Sequence, residues 1–305
     1  KPDWAVQWVP HGVNEKSFYP ITELHKDWTD YEAFKTNFKK TNDVDFVVFW
    51  NNRNIRRKQP ADLILAYNIF CESLPPEQAK KCCLLMHTQI SDENGTDLLA
   101  VKNAVCPKYK VLFSTQGVEQ RQLNFMYNLA DVTVNIASNE GFGISWCESL
   151  MAGTPIVNNV TGGLQDGCRF EDENGDWIEF STEFPSNHNG TYKKHARWVK
   201  PVFPACQSIQ GSPMTPYIFD DRVDFRDVAE AIKYWYDMPI EEREECGEVG
   251  HEWVMGNESN MSARGMSKRM SECIEECFEK WTPRKRVTMY KVEQVKQIEN
   301  PGVIV

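Results

Sequence analysis

The amino-acid sequence predicts an α/β fold: a Rossmann-like parallel sheet with helices on both faces and an insertion that contains a β-hairpin. The main observation is that short apolar runs alternate with amphipathic helical segments from about residue 45 to residue 160, as in a covered parallel sheet. A content of 41% hydrophobic and 26% charged residues fits a folded globular chain. Apolar runs such as Phe46–Trp50 are far shorter than the roughly 20 residues of a membrane-spanning helix, so no membrane span is expected.

The strands are predicted from apolar runs bounded by polar or turn residues. They are expected at residues 46–50, 82–87, 110–114, 132–137 and 155–158. Helices are expected between them at residues 60–70, 119–129 and 145–152. The first of these helices begins at Pro60, whose fixed φ angle suits the first helical position.

Residues 160–224 show a different pattern, in which Gly, Pro, Asn and aromatic residues interrupt the alternation. Short alternating pieces at residues 177–180 and 197–200 predict that this insertion contains the hairpin. Asp224 is expected to cap the helix that follows the insertion. The last three helices are expected at residues 225–236, 240–255 and 262–281.

The charge and the cysteines exclude several classes of protein. With 34 basic and 44 acidic side chains the net charge is −10, which opposes nucleic-acid binding. The ten cysteines are too dilute for a disulfide scaffold and lack the spacing of a zinc site. Reduced thiols in a cytoplasmic compartment are the preferred interpretation, and no metal is expected.

The stretch Ser138–Glu148 combines a glycine turn with two carboxylates. Gly141 and Gly143 lie between a predicted strand and a predicted helix, where backbone N–H groups at the positive end of the helix dipole can bind phosphate. The carboxylates of Glu140 and Glu148 could accept hydrogen bonds from sugar hydroxyls. Carboxylates repel bare phosphate, so the combination favours a ligand that carries a sugar.

A basic loop follows the first predicted strand at residues 53–58. In an open parallel sheet, ligands bind beyond the carboxyl ends of the strands, so this loop and the glycine turn are expected to face one crevice. Arginine and lysine side chains there could neutralise a diphosphate. Taken alone, a glycine turn is more often purely structural and a basic loop is more often a solvent-exposed surface. Their occurrence at equivalent strand ends favours a ligand-binding site.

These residues carry a family resemblance. Glu140 and Glu148, with seven residues between them, are followed by Gly-x-Pro-Ile-Val and by Gly162–Gly163. They resemble the EX7E signature of retaining glycosyltransferases of the GT-B architecture, family four. Arg53 and Lys58 have the spacing of the family's Arg and Lys, although Gln59 replaces the glycine that usually follows the Lys. The resemblance covers about residues 9–165.

The resemblance implies transfer of a sugar from a nucleotide-diphosphate-sugar to an acceptor with retention of configuration. It implies Glu140, Arg53 and Lys58 as catalytic residues. It implies the following residues for nucleotide-sugar binding: Arg53, Lys58, Thr115, Glu140, Gly141, Phe142, Gly143, Ile144, Ser145 and Glu148. No metal or other cofactor is implied, and the acceptor can be a glycan, a lipid or a protein.

The resemblance also implies a domain organisation. Residues 1–30 are expected to be an interdomain linker, residues 31–281 a nucleotide-sugar-binding domain with its insertion at 160–224, and residues 282–305 a tail. The chain is expected to be the C-terminal, donor-binding half of the GT-B fold, with the N-terminal Rossmann domain of the same polypeptide missing. The last helix should then lack part of its apolar cover. The alternative is a non-catalytic protein-interaction module that uses the insertion.

Overall fold

The computed structural model describes residues 6–179, 181 and 183–283. Its main element is a six-stranded parallel sheet of order β3-β2-β1-β4-β5-β6. The strands are β1 (Phe46–Asn51), β2 (Cys82–His87), β3 (Lys110–Ser114), β4 (Val132–Asn135), β5 (Ile156–Asn159) and β6 (Val199–Val202). The predicted fold class is confirmed, and the first five strands begin and end within two residues of their predicted positions.

Helices cover both faces of the sheet. They are α1 (Trp28–Asn42), α2 (Pro60–Glu72), α3 (Pro76–Ala79), α4 (Leu98–Val105), α5 (Gln120–Leu129), α6 (Ile144–Met151), α7 (Phe225–Asp237), α8 (Ile240–Met255) and α9 (Ala263–Lys280). The predicted cap of α7 is confirmed, because the Asp224 carboxylate accepts a hydrogen bond from the Arg226 backbone N–H at 2.8 Å. Helices α1, α3 and α4 were not predicted.

The core has two layers because successive residues of β1 point to opposite faces of the sheet. Phe46, Val48 and Trp50 pack with residues of α2, α4 and α7 on one face. Val47 and Phe49 pack with residues of α5, α6 and α8 on the other. Since both faces are buried, the strand reads as a continuous apolar run in the sequence.

The hairpin predicted within residues 160–224 is confirmed. It consists of β7 (Pro204–Ser212) and β8 (Thr215–Val223), which pair in antiparallel fashion as a separate sheet. The piece at residues 197–200 leads instead into β6, which pairs in parallel with β5. An alternating pattern over four residues does not distinguish a sheet-edge strand from a hairpin strand.

The segment before α1 packs on the domain. The Val13 backbone N–H donates to the Met261 carbonyl at 2.9 Å, and the Ala263 N–H donates to the Val13 carbonyl at 2.7 Å. The segment therefore joins the start of α9. The predicted tail lies outside the described residues from residue 284 onward.

Helix α9 leaves an apolar stripe uncovered, as the sequence predicted. The side chains of Met270, Ile274 and Phe278 are 49%, 50% and 79% exposed. None of the helices in the described part of the chain is both long and apolar enough to span a bilayer.

Candidate functional site: a cation–carboxylate crevice at the carboxyl edge of the sheet

The crevice lies where the strand order of the sheet reverses. Strands β1 and β4 pair in parallel at the centre, with β2 and β3 on one side and β5 and β6 on the other. The loops that follow two such strands diverge and leave a ligand-binding crevice at the carboxyl edge. The basic loop after β1 and the glycine turn after β4 border this crevice.

Asn54 holds the basic loop in place. Its side chain is fully buried, and its Nδ2 donates hydrogen bonds to the carbonyls of Gln89 at 3.2 Å, Ile90 at 3.1 Å and Thr96 at 2.7 Å. These bonds fix the loop after β1 to the loop after β2. A 3₁₀ turn at Arg56–Lys58 then brings the lysine into the crevice.

Lys58 and Glu140 are in direct contact. The Lys58 ammonium contacts Oε1 of the Glu140 carboxylate and donates a 2.7 Å hydrogen bond to Oδ1 of Asn52. Arg57 Nη1 lies 3.0 Å from the same Glu140 oxygen. Burial lowers the pKa of Lys58, and the hydrogen bond and charge of Glu140 oppose that shift. The structure thus brings together the cation and the acid that the sequence placed on separate loops.

Backbone contacts also join the two loops. The Ser138 N–H donates to the Arg57 carbonyl at 2.7 Å, and Arg57 Nη1 donates to the Asn139 carbonyl at 2.9 Å. The Asn139 side-chain amide contacts the Asp220 carboxylate in β8, and the Asp221 N–H donates to the Ser138 carbonyl at 2.8 Å. The hairpin is therefore anchored to the site.

The backbone of the glycine turn before α6 is tightly constrained. Gly143, with φ of 83°, precedes α6, a left-handed conformation that favours glycine. The Gly163 N–H donates to the Glu140 carbonyl at 3.0 Å. A Cβ atom at Gly163 would lie 2.5 Å from Cα of Phe142, so only glycine permits this approach. The first N–H groups of α6, which have no acceptor within the helix, open at the turn.

Glu148 has a different environment from Glu140. Its Oε2 accepts hydrogen bonds from the Tyr127 hydroxyl at 2.6 Å and from Nδ2 of Asn51 at 3.3 Å. Burial raises the pKa of Glu148, and the two hydrogen bonds oppose that shift. Glu148 therefore lies beneath the end of β1, whereas Glu140 lies beside the basic loop.

A cavity of about 290 Å³ opens at the ends of β1, β2 and β3. Arg53 and Thr115 line it, as do Asn52 and Thr88. Nδ2 of Asn52 and Oγ1 of Thr88 are buried and have no hydrogen-bond partner within the described residues. Buried polar atoms are rarely left unpaired, so the cavity offers polar groups that a ligand can satisfy.

Arg53 lies at the rim of this cavity and is directed at a neighbouring acid. Its Nε is 2.8 Å from the Asp92 carboxylate, and its side chain is 63% exposed. Arg53 and Lys58 therefore do not converge on one carboxylate.

The remaining predicted residues follow the turn into α6. Phe142 stacks on His11 with ring centroids 5.3 Å apart. Ile144 is 42% exposed. The Ser145 hydroxyl is buried and accepts a 3.0 Å hydrogen bond from Nδ2 of Asn135, so Ser145 can offer only its backbone to a ligand without rearrangement.

Sequence reasoning missed four residues that shape the site: Asn51, Asn52, Thr88 and Tyr127. The two asparagines had a signal, since they directly follow an apolar strand and so lie at its carboxyl end. Tyr127 had none, because it lies near the end of α5, outside both motifs.

No cluster of three or more His, Cys, Asp or Glu side chains suited to a metal ion is found within residues 6–179, 181 and 183–283. The site consists of organic cations, carboxylates and backbone N–H groups.

Residues 34–181 match the family model described as Glycosyl transferases group 1. Residues 34–181 thus form a glycosyl transferases group 1 domain. The matched range includes the basic loop, the glycine turn and both glutamates. This domain is similar to alpha-monoglucosyldiacylglycerol synthase of Acholeplasma laidlawii, with 27% identity over 158 residues, which are 52% of this chain and 36% of the relative.

Solved structures show that the glycosyltransferase domain has the GT-B fold of larger proteins. Sucrose-phosphate synthase from Thermosynechococcus elongatus superposes with a TM-score of 0.59 at 18% identity, covering 90% of this chain and 53% of that one. Anabaena HepE, solved in complex with UDP-glucose, superposes with a TM-score of 0.59 at 12% identity, covering 88% and 57%. The chain thus spans little more than half the length of these structures.

Proposed function

We propose that the protein transfers a sugar from a nucleotide-diphosphate-sugar to an acceptor with retention of configuration, and that Glu140 and Glu148 form its EX7E pair. The observation that carries this proposal is the contact of Lys58 with Glu140 at the carboxyl edge, where β1 and β4 diverge. Lys58 would then be the cation for the leaving diphosphate, beside Glu140 as the acid for the sugar.

The cavity and the helix start suggest how the donor lies. The nucleoside would occupy the 290 Å³ cavity, where Asn52, Thr88 and Thr115 offer polar groups. The diphosphate would lie between Lys58 and the N-terminus of α6, which attract negative charge. The solved UDP-glucose complex of a protein with this fold supports a nucleotide sugar as the ligand.

Glu140 would bind the donor sugar, and Glu148 would bind the ribose. Lys58 and Arg57 both contact Oε1 of Glu140. Its Oε2 and the backbone of Gly141, Phe142 and Gly143 would therefore orient the donor sugar. Glu148 and Asn51 would hold the ribose hydroxyls from below. Each carboxylate then meets hydroxyl groups and not phosphate.

Charge stabilisation would supply most of the rate enhancement. As the bond from the anomeric carbon to the diphosphate breaks, negative charge grows on the leaving group and positive charge on the sugar. Lys58, Arg53 and the N–H groups of α6 would stabilise the charge on the leaving group, and Glu140 would stabilise the charge on the sugar. Groups preorganised in this way act without reorganisation during the reaction. We include no metal in this mechanism.

The acceptor would be bound by a second domain. GT-B structures matched here are nearly twice as long as the aligned part of this chain, and the exposed apolar stripe of α9 is consistent with a neighbouring domain. We therefore propose that transfer requires the N-terminal half. Seven buried cysteines without a disulfide support a reducing, cytoplasmic compartment.

The test is calorimetric titration of the chain with UDP, GDP and ADP. Removing the charge in Lys58→Ala is expected to weaken binding of the preferred nucleotide by about 10- to 100-fold, the loss expected for a charge-assisted hydrogen bond. Arg53→Ala should weaken it less, because Arg53 is paired with Asp92.

Lys81→Ala is the matched control, since Lys81 lies at the amino edge of the same sheet, next to β2, and is partly exposed. It should bind nucleotide as the unmodified chain does. Equal affinities for Lys58→Ala and Lys81→Ala would remove the basis for the site. Failure of all three nucleotides to bind would favour the interaction-module alternative.

A further inference from the structure

A second cavity, of about 380 Å³, lies beside the basic loop. Its walls are the Arg56–Lys58 turn, the start of α2 and the β7–β8 hairpin. We name it the hairpin cleft. No residue lines both this cleft and the 290 Å³ cavity proposed for the nucleoside, so the two can be occupied independently.

The hairpin turns its polar face to the cleft. Ser208, Gln210, Asp220 and Arg222 line it. The intervening residues of the hairpin point the other way, because side chains alternate along a strand. Of these, Ile209, Tyr217 and Phe219 are 65%, 70% and 51% exposed. All four hairpin residues that line the cleft are thus polar, as expected for a wall that contacts a polar ligand.

Three arginines from two walls face this space: Arg56 and Arg57 from the turn, and Arg222 from the hairpin. Arg222 Nη2 is 2.7 Å from the Asp62 carboxylate, and Arg57 contacts Glu140. The Arg56 side chain is exposed and makes no hydrogen bond or ion pair with another described residue. With the two lining aspartates, Asp62 and Asp220, the lining carries a net charge of +1, in a chain whose net charge is −10.

We infer that the hairpin cleft binds a phosphoryl group, either free phosphate or the phosphate of a phosphorylated sugar. A tetrahedral phosphate offers oxygens in several directions, so guanidinium groups on different walls can each donate to it. Arg56 is the principal ligand because its donors are not engaged, and Arg222 can bridge the phosphate and Asp62. The N–H groups at the start of α2, a 13-residue helix, add to the positive potential.

The test is titration with inorganic phosphate in chloride buffer. Because the donor site also binds phosphate under the proposed function, the titration is done on the Arg53→Ala/Lys58→Ala protein as well as on the unmodified chain. Phosphate should still bind to that double variant. Adding Arg56→Gln should then weaken binding by about tenfold or more, as expected for loss of a charge-assisted contact.

Arg226→Gln is the matched control, since Arg226 is an exposed arginine at the start of α7 that does not line the cleft. Phosphate should bind it as it binds the unmodified chain. The inference is overturned if the double variant does not bind phosphate, or if Arg56→Gln and Arg226→Gln bind it equally. The Arg56 side chain is exposed and makes no hydrogen bond or ion pair with another described residue, so Arg56→Gln removes no such contact from the fold.

A second measurement gives the position directly. In ¹H–¹⁵N spectra of the arginine side chains, phosphate should shift the Nε–H signals of Arg56 and Arg222 and leave that of Arg226 in place. Tighter binding of a hexose phosphate than of inorganic phosphate identifies a sugar ester as the ligand, whereas equal binding identifies the free anion. Shifts confined to Arg53 would place all phosphate in the donor site and overturn the inference.

Discussion

Lys58 and Glu140 form a buried ion pair, and within the described part of the chain Glu140 has a further oppositely charged neighbour whereas Lys58 does not. Glu140 contacts a second cation, Arg57, whereas among the described residues Lys58 has only the neutral Asn52 amide besides Glu140. Both side chains are largely buried, at 11% and 7% exposure. An ion left without its partner in such a place is costly. Loss of the carboxylate should therefore cost more than loss of the ammonium.

The first prediction compares Glu140→Gln with Lys58→Met. Glu140→Gln is expected to lower the free energy of unfolding by about 2 kcal/mol, because it leaves the buried Lys58 charge uncompensated. Lys58→Met should cost about 1 kcal/mol or less, because Arg57 still pairs with Glu140. Urea unfolding of both variants at neutral pH measures the difference. The reverse order would show that Arg57 does not support Glu140.

The second prediction concerns Glu148 and pH. Burial raises the folded-state pKa of Glu148 above its usual value of 4.5, so the folded state binds this proton more tightly than the unfolded chain does. The associated stability is fully present below the unfolded pKa and is lost as pH rises through the folded pKa. Glu148→Gln does not titrate, so it should gain stability relative to the unmodified chain as pH rises.

Urea unfolding of Glu148→Gln and the unmodified chain between about pH 5 and pH 8 tests this. Burial also raises the pKa of Asp166, to about 7, but Asp166 is present in both proteins and cancels in the difference. A difference in stability that does not change with pH would show that Glu148 titrates as an exposed carboxyl does.

At the scale of elements, the positions of the strands of the parallel sheet could be predicted from the sequence. The contacts that hold the β7–β8 hairpin against the site could not. Phe46–Asn51 is buried on both faces, which produces an apolar run that is visible in one dimension. The hairpin strand Thr215–Val223 is mostly exposed and is anchored by Asp220 and Asp221 to residues about 80 and 60 positions earlier. Contacts between such distant residues leave no local pattern.

The third prediction concerns the contact between the Gly162–Gly163 turn and the glycine turn before α6. Gly163→Ala should lower the free energy of unfolding by about 1–3 kcal/mol, because its Cβ would overlap the backbone of Gly141 and Phe142. It should also weaken nucleotide binding, since the N–H groups at the start of α6 would move.

Gly141→Ala is the matched control, because a Cβ at Gly141 meets nothing within 4 Å and its φ is not positive. Its stability should change by less than about 0.5 kcal/mol. Thermal or urea unfolding of the two variants measures the contrast. Equal stability of Gly163→Ala and the unmodified chain would contradict the close packing of the two loops.

For the whole molecule, the sequence predicts where a site lies better than how its groups are arranged. Knowing that β1 and β4 adjoin is enough to bring Lys58 and Glu140 to one crevice, because the carboxyl ends of parallel strands share an edge. The direction of Arg53 toward Asp92 and the support of Glu148 by Tyr127 depend on side-chain geometry. Those details follow from packing and have no motif.

The last prediction joins the site to the stability of the whole fold. A ligand that binds only the folded state stabilises it by about 2.7 kcal/mol at 100 times its Kd. For a chain of this size that corresponds to a rise in Tm of about 4–5 °C. UDP, or whichever nucleotide binds in the calorimetric titration, should produce this shift in the unmodified chain. At the same concentration it should produce little shift in Lys58→Ala.

Arg56→Gln should keep the nucleotide-induced rise in Tm, because Arg56 lines the hairpin cleft and not the 290 Å³ cavity. This variant therefore separates the two sites in one experiment. A rise that is lost in Arg56→Gln and kept in Lys58→Ala would exchange the two assignments: the nucleotide would lie in the hairpin cleft, and the contact between Lys58 and Glu140 would be structural. Scanning calorimetry of the three proteins, with and without nucleotide, distinguishes these outcomes because each arrangement predicts a different variant that fails to respond.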